Sequence, residues 1–409
     1  MLAHRYRLPL ALVVAAIAAG GATVLLRPRA GVAQPATASA GDYFTPEQLQ
    51  RTRDFRRPQR ALAIGSLALE GAVLVLLVAR PPRPLRRALD RAGARPLAGA
   101  AAAGAAFTIG LTVIGLPLSA IAHQRSRDVG LSTQSWGPWL GDVAKSTGIA
   151  MVFSAGGAAI AIGVIRRFPG RWWIPGAAAI VGLSTLMVFL APVVIDPLFN
   201  KFEPLPDGRL RSEVLRLAGR AGVDVGQVYR VDASRRTTAT NAYVWGIGGT
   251  KRVVIYDTLI RDFPDDQVRS VVAHELSHVV HKDVQRGLLW LAIVAPAGTF
   301  LVMVLAERFN RGRPLGLPAA LPALALAAAI VSTALGSASN LLSRRVEARA
   351  DTYALNLTDD PAAFIGLTRS LAVTNLADPT PPRIVHLLLG THPTTMERIG
   401  AGLEWAREH

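Results

Sequence analysis

The sequence predicts a mostly α-helical, polytopic membrane protein with about seven transmembrane helices and a soluble part that contains a small β-sheet. Of its 409 residues, 51% are hydrophobic and only 18% are charged, and the mean hydropathy is +0.32. The apolar residues lie in long runs without charges, whereas soluble domains carry more charge and distribute it more evenly. These observations place most of the chain in a lipid bilayer.

Seven apolar runs each have close to the ~20 residues that a helix needs to cross the hydrocarbon core. They lie at residues 8–26, 61–79, 97–122, 147–165, 172–195, 287–306 and 318–340. The first run could be a secretory signal. It is longer than the ~7–15 apolar residues typical of such signals, and the arginines that follow end it abruptly, so we interpret it as a retained anchor.

The seven spans divide the chain into four parts. These are helices one to five with their loops (1–195), a first soluble segment (196–286), helices six and seven (287–340) and a second soluble segment (341–409). Within the first segment, residues 227–233 and 251–260 are rich in β-branched and aromatic residues, and the stretch NAYVWGIGGT lies between them. We expect a hairpin whose turn is formed by Gly246, Gly248 and Gly249.

The charge of the chain is strongly positive, with a formal net charge of +17 that is almost all arginine. Such a charge could indicate a nucleic-acid-binding protein. Here the arginines cluster in short loops beside apolar runs. This placement indicates that they contact anionic lipid headgroups and that the chain does not bind nucleic acid. The heavy use of alanine and arginine, with only four lysines, is typical of a GC-rich bacterium. There is no cysteine, so disulfides and thiolate metal ligands are excluded.

The stretch VVAHELSHVVHKDV at 271–284 carries the spacing His-Glu-x-x-His. His274 and His278 are four residues apart, so on a helix both imidazoles project from one face and can bind one metal ion. Glu275 is rotated by about 100° from His274, where it can reach a metal-bound water without ligating the ion. We expect the helix to begin at Pro264, with acids in its first turn. A polar stripe on a surface helix is the alternative.

A catalytic zinc site needs a third protein ligand and an open fourth position. A third histidine on the same run is excluded, because valine stands at its position, Val284. We expect His281 to lie near the site or at the surface. The segment SRRVEARADTYAL at 343–355 offers a better candidate. On a helix Glu347 could complete the ligand set and Asp351 could orient a ligand histidine; an ordinary charged helix face is the alternative.

Taken together, these residues and several further phrases resemble the type I CAAX prenyl proteases, which are integral-membrane zinc proteases. The order of the spans matches, as do GLSTQSWGPWLGD, APVVIDPLFNKFEPLP, TNAYVWG, KRVVIYDTLI, SRRVEARAD and THPTTMERI. The resemblance implies a gluzincin-type protease domain with one Zn²⁺ per chain. It assigns His274, His278 and Glu347 as the metal ligands and Glu275 as the general base.

The resemblance also implies roles in substrate binding. Asn241 and Tyr243 lie where substrates of the family are thought to add as a β-strand, so both are candidate substrate contacts. His392 occupies the position of a histidine that stabilises the oxyanion, and Arg398 matches a nearby arginine, which we expect to contact substrate. Asn241 could instead only begin a strand, and His392 could only precede a helix.

The predicted function is therefore hydrolysis of peptide bonds in a peptide or protein substrate, either CAAX-like or unfolded and membrane-tethered. Asp283 stands where several eukaryotic members have histidine, which resembles the bacterial heat-shock membrane proteases and favours quality control as an alternative. A transporter, suggested by Glu70 inside a span, and a non-catalytic scaffold are alternatives from other classes. The resemblance places the catalytic segments on the cytoplasmic side of a bacterial cell membrane; oligomeric state is not legible in the sequence.

Overall fold

The computed structural model describes residues 6–246 and 251–409. Within these residues, seven helices are long and apolar enough to span a membrane. The helices are α1 (Arg7–Leu26), α2 (Ala40–Tyr43), α3 (Pro46–Ala79), α4 (Arg83–Ala92), α5 (Pro96–Asp128), α6 (Trp136–Arg167), α7 (Trp173–Leu190), α8 (Arg209–Arg220), α9 (Asp257–Asp262), α10 (Asp265–Val280), α11 (Asp283–Phe309), α12 (Leu321–Thr358), α13 (Pro361–Thr374), α14 (Arg383–Leu389) and α15 (Thr395–Glu408). The strands are β1 (Phe202–Pro204), β2 (Gln227–Val231), β3 (Ala242–Trp245) and β4 (Arg252–Tyr256).

Several membrane helices continue well beyond the apolar runs that predict them. Helix α3 begins at Pro46, where Thr45 and Gln48 form a capping box and proline occupies the first turn. Its polar first half carries arginines that contact the soluble part, including an ion pair between Arg60 and Asp378. Helix α12 likewise continues from its membrane span through Glu347 and Asp351 to Thr358. The predicted third-ligand segment is therefore the extension of a membrane helix.

Six of the membrane helices form a closed ring. Helices α3, α5, α6, α7, α11 and α12 each contact the next in that order, and α12 contacts α3 again. Small residues allow the closest contact in this ring: a Cβ on Gly104 of α5 would lie 2.5 Å from the carbonyl oxygen of Ser154 on α6. The hydroxyls of Thr108 and Ser154 are 2.7 Å apart at the same point. Glu70 borders a cavity of about 340 Å³ between α3, α5 and α6, and the lining of this cavity includes several serine and threonine side chains.

Helix α1 packs outside this ring against α11 and α12. Its contact stripe consists of alanines spaced three or four residues apart, and all are buried: Ala11, Ala15, Ala19 and Ala22. They meet larger side chains of the partner helices, including Trp290 and Leu301. This packing favours the interpretation of the first apolar run as a membrane span of the folded protein.

The sheet has the strand order β1-β2-β4-β3. The expected hairpin is formed by β3 and β4, which pair antiparallel, and Gly246 at its turn has a φ of 123° that favours glycine. Gly248 and Gly249 lie outside the described residues. The segment 227–233 contributes β2, which pairs parallel with β4 and antiparallel with β1. The NAY stretch thus forms a strand of its own at the edge of the sheet.

The core of the soluble part lies between one face of the sheet and helices α8, α10, α12 and α13. Val228, Val253 and Ile255 from the sheet pack there against Leu276 of α10 and Phe364 of α13, all essentially without solvent contact. Burial of this apolar surface, at roughly 25 cal/mol per Å², is the main force that fixes α10 against the sheet and the end of α12. The two soluble segments therefore form one unit around α10.

Candidate active site

Helix α10 presents the His-Glu-x-x-His residues. As expected, Pro264 precedes its first turn, and Asp265 and Asp266 lie at the positive end of the helix dipole. Val272 and Leu276 anchor the helix in the core. The helix ends at Val280, and α11 begins at Asp283 after a residue in the left-handed region. This break separates the site helix from the sixth membrane span.

The imidazole of His274 is held between two carboxylates of α12. Its Nδ1 lies 2.9 Å from an oxygen of Asp351, and its Nε2 lies 3.1 Å from an oxygen of Glu347. Arg398 of α15 donates to both oxygens of Asp351, with its nearest nitrogen at 2.7 Å. Because Asp351 is only 2% exposed, the Arg398 guanidinium supplies the positive charge that this buried carboxylate requires.

The imidazole of His278 also lies between two carboxylates, those of Asp283 and Glu347. Its Nδ1 lies 3.1 Å from Asp283, and its Nε2 lies 3.8 Å from the same Glu347 oxygen. Asp283 is in turn paired with Arg349, which is 5% exposed. These contacts of Asp283 and Arg349 are not predicted from the sequence. The sequence does place an acid, Asp283, five residues after His278. A spacing of five does not bring two side chains together on one helical face, so helix periodicity does not reveal this contact.

The donor atoms have the chemistry and spacing that a zinc ion needs. Both Nε2 atoms converge on one Glu347 oxygen, at 3.1 and 3.8 Å. Two ligands at ~2.0–2.1 Å from a tetrahedral ion lie roughly 3.3 Å apart; the first separation is close to this value and the second is about half an ångström longer. Ligand-capable atoms of His274, Glu275 and His278 also lie within 4.8 Å of one another. The Glu347 oxygen is the atom on which both imidazoles converge, so Glu347 is a candidate third ligand.

The ionisation of the site reflects its burial. Burial lowers the pKa of His274, but the hydrogen bonds that its ring donates to Asp351 and Glu347 outweigh this effect and raise the pKa to about 10. Burial raises the pKa of Glu275, and the neighbouring His274 and His278 oppose this only in part. A carboxylate with a raised pKa is a better proton acceptor than an exposed glutamate. Glu275 therefore has the environment of a general base.

His392 lies at the open side of the site. Its Nε2 is 3.2 Å from Glu347, while its side chain is 56% exposed. Its Nδ1 is 2.9 Å from the hydroxyl of Thr391. The structure thus brings His392 to the site through the loop before α15, 45 residues beyond Glu347 by the numbering. An exposed imidazole beside the candidate metal ligands is accessible to a substrate.

The two residues expected at the substrate strand, Asn241 and Tyr243, have different surroundings in the structure. β3 is an edge strand, and it packs beside α10. Asn241 is exposed immediately before β3, and its side-chain oxygen accepts a hydrogen bond from the backbone of Ala242. The ring of Tyr243 packs on the sheet face away from the main core, against Val231 and Val254. The backbone C=O of Asn241 already pairs with β4. Because hydrogen-bonded and non-hydrogen-bonded positions alternate along an antiparallel strand, the backbone groups of Ala242 and Val244, and not those of Tyr243, face the free edge of β3.

Two further expected residues have contacts that refine their roles. Arg398 was expected to contact substrate, but its hydrogen bonds go to Asp351 and its guanidinium lies 5.7 Å from the ring of Phe364. We therefore propose it as a residue that positions Asp351. His281 lies just after α10, with its Nδ1 3.0 Å from the carbonyl of Ser277. It is near the site but outside the convergent ligand atoms.

A ring of membrane helices that carries a His-Glu-x-x-His helix and a glutamate-bearing helix extension defines a membrane-embedded metallopeptidase. The chain matches peptidase family M48 over residues 204–406, and the N-terminal part of CAAX prenyl proteases, five membrane helices, over residues 31–201. It is 32% identical over 376 residues to the uncharacterized metalloprotease YhfN of Bacillus subtilis, a match that covers 88% of this chain and 87% of that protein. The chain belongs to peptidase family M48.

Other relatives match over shorter stretches. CAAX prenyl protease 1 of Saccharomyces cerevisiae is 30% identical over 204 residues, which cover 49% of this chain and 44% of the yeast protein. The crystal structure of S. mikatae Ste24p superposes with a TM-score of 0.76 over 96% of this chain and 98% of that chain, at 22% identity, which supports the fold. The protein is thus a multi-span membrane zinc metalloendopeptidase that acts on peptides or proteins, and the transporter and scaffold alternatives are set aside.

Proposed function

We propose that His274, His278 and Glu347 hold one Zn²⁺ per chain and that Glu275 acts as the general base. The observation that carries this proposal is the convergence of two Nε2 atoms on one Glu347 oxygen. Each imidazole has its Nδ1 engaged by an aspartate, which fixes the tautomer that leaves Nε2 free as a ligand. Such histidine–carboxylate pairs are typical of zinc sites.

The chemistry of the site follows from the environment of its side chains. When bound, Zn²⁺ acts as a Lewis acid and lowers the pKa of a coordinated water toward ~7. Glu275 takes the proton from the attacking water and returns it to the leaving amine. Its half-buried carboxylate, with a pKa raised by burial, holds that proton between the two steps. His392 donates to the oxyanion that develops on the scissile carbonyl.

We propose further that the substrate binds as an added strand along β3. The support is that β3 is an edge strand beside α10 and that Asn241, at its start, is exposed. Main-chain hydrogen bonds would then supply most of the affinity, so the sequence preference is loose and the substrate must be extended. Unfolded or membrane-tethered chains meet this requirement, whereas folded domains do not.

A lipid on the substrate would add affinity without taking part in the chemistry. Several relatives are named CAAX prenyl proteases, and burial of a prenyl group contributes roughly 0.8 kcal/mol per CH₂. We propose that this protein cleaves unprenylated, unfolded peptides and cleaves lipidated ones better. From the family resemblance, we also propose that the catalytic segments face the cytoplasm of a bacterial cell.

The test compares one peptide with and without a farnesyl group, with purified protein in detergent and zinc measured in the same samples. Cleavage of both peptides, faster for the farnesylated one and abolished by a chelator, supports the proposal. Complete dependence on farnesyl would contradict loose specificity and indicate a dedicated CAAX protease. Asn241→Ala should weaken cleavage of both peptides by a similar factor and leave the zinc content unchanged. A loss confined to one peptide would argue against strand addition.

A further inference from the structure

A basic cavity of about 370 Å³ lies between the end of α1 and the start of α11. We call it the α1–α11 cavity and define it by Leu25, Arg27, Arg29, His281, Arg286 and Arg349. Both helices are membrane spans, and the cavity lies at their ends on the side of the soluble segments. Its position is therefore at the level where lipid headgroups meet the protein.

The charges of the α1–α11 cavity are of one sign. Four arginines line it, and no carboxylate does so among the described residues. Arg349 is 5% exposed, and its one side-chain hydrogen bond within the described chain goes to Asp283. Its Nε has no acceptor there, although a guanidinium offers five donors. A buried arginine with an unpaired Nε, beside three other arginines, offers donors that suit an anion with several oxygens.

The surroundings of the cavity indicate where that anion comes from. Leu25 is part of the lining and is 61% exposed. On α11, Val284 and Leu289 are 51% and 50% exposed. Large apolar side chains that remain exposed on membrane spans face lipid. An anion with acyl chains can contact both the arginines and these exposed apolar side chains, whereas a soluble anion contacts only the arginines.

We propose that the α1–α11 cavity binds the phosphate of an anionic phospholipid and that this lipid stabilises the metal site. The connection is short, because Arg349 pairs with Asp283 and Asp283 is the hydrogen-bond partner of His278. An anion on the free donors of Arg349 holds its guanidinium in the position that engages Asp283. The binding part stands on the cavity alone; the coupling part rests on the proposed role of His278 as a metal ligand.

The binding test titrates the full-length, zinc-loaded protein in detergent with short-chain phosphatidylglycerol, short-chain phosphatidylcholine and inorganic phosphate. We expect phosphatidylglycerol to bind at least tenfold more tightly than either of the others. Arg286→Gln and Arg29→Gln should each weaken it about tenfold, a factor that corresponds to roughly 1.4 kcal/mol. Arg57→Gln is the matched control, because Arg57 is an exposed arginine on α3 that does not line the cavity.

Two results would overturn the site. Equal affinity for inorganic phosphate and phosphatidylglycerol would make it a soluble-anion site. Equal weakening by Arg57→Gln and Arg286→Gln would reduce the effect to general surface charge. The coupling has its own readout, because linkage requires that lipid and zinc strengthen each other by the same factor. We expect the zinc Kd without phosphatidylglycerol to be at least three times the zinc Kd with it. In Arg286→Gln this ratio of the two zinc Kd values should fall to about one.

The outcomes for the lipid and for the metal are separable. If the zinc Kd of the unmodified protein is the same with and without phosphatidylglycerol, the coupling is overturned even if the lipid binds. A protein that binds phosphatidylglycerol selectively but no zinc would overturn the proposed metal ligands and leave the lipid site intact. A protein that binds zinc but shows no selectivity for phosphatidylglycerol would overturn the lipid site and leave the proposed function intact.

Discussion

Replacing Asp351 with asparagine should weaken zinc binding without removing any metal ligand. The carboxylate accepts from Nδ1 of His274 at 2.9 Å, and from Arg398 at 2.7 and 3.0 Å. An asparagine keeps the size of the side chain but offers one acceptor oxygen and turns two N–H groups toward its partners. The imidazole of His274 then loses its fixed tautomer, and the Arg398 guanidinium loses its counter-charge.

The size of the effect follows from the burial of the group. Loss of a carboxylate that orients a ligand histidine costs about 10–100-fold in metal affinity, which is roughly 1.4–2.7 kcal/mol. Asp351 is 2% exposed and Arg398 is 16% exposed, so the substitution also leaves a largely buried charge unpaired. Breaking such a pair from one side costs roughly 3–5 kcal/mol of folding stability. Both the zinc affinity and the melting temperature should therefore fall.

The assay is competition with a fluorescent chelator in detergent, together with a thermal melt. Asp378→Asn is the matched control, since it removes the ion pair with Arg60, away from the metal ligands. We expect Asp378→Asn to lower the melting temperature and to keep the unmodified zinc Kd. If Asp351→Asn kept that Kd as well, or if both variants weakened zinc equally, the assignment of Asp351 as the partner of His274 would be refuted.

Three further results are expected. Because burial raises the pKa of Glu275, its carboxylate stays protonated to a higher pH than an ordinary glutamate with a pKa of ~4.3. The acid limb of the kcat/KM profile should therefore have a midpoint above pH ~4.3. A midpoint at or below that pH would contradict the role of Glu275 as base. The metal-free pKa of His274 is about 10, so zinc added to metal-free protein at pH 8 should release about one proton, measured by calorimetry in two buffers; no release would contradict the assignment. A reporter fused after His409 should be active in the cytoplasm, and activity outside the cell would reverse the proposed orientation.

The spans, and the placement of the principal candidate site residues on shared helix faces, could be predicted from local patterns. Apolar runs of about 20 residues have few alternatives to a membrane span, and a spacing of four places two side chains on one helical face. His274 and His278 follow this rule on α10, and Glu347 and Asp351 follow it on α12. Each pair is a property of one helix, so the sequence contains the information directly.

The remaining features depend on contacts between elements that are distant in the chain. Asp283 reaches His278 only because the chain breaks between α10 and α11, and Arg349 joins it from a different helix. The parallel pairing of β2 with β4 is likewise non-local, and it leaves β3 at the edge. Helix propensity and periodicity do not encode such pairings.

The two glutamates are proposed to have different roles: Glu347 holds the metal, whereas Glu275 moves the proton. The most direct measurement is zinc content and peptide turnover in the same preparations of Glu347→Ala and Glu275→Ala. We expect Glu347→Ala to lose bound zinc, because it lacks a ligand, and Glu275→Ala to keep zinc but lose nearly all turnover. Turnover at the unmodified rate in Glu275→Ala, or full zinc content in Glu347→Ala, would contradict these roles.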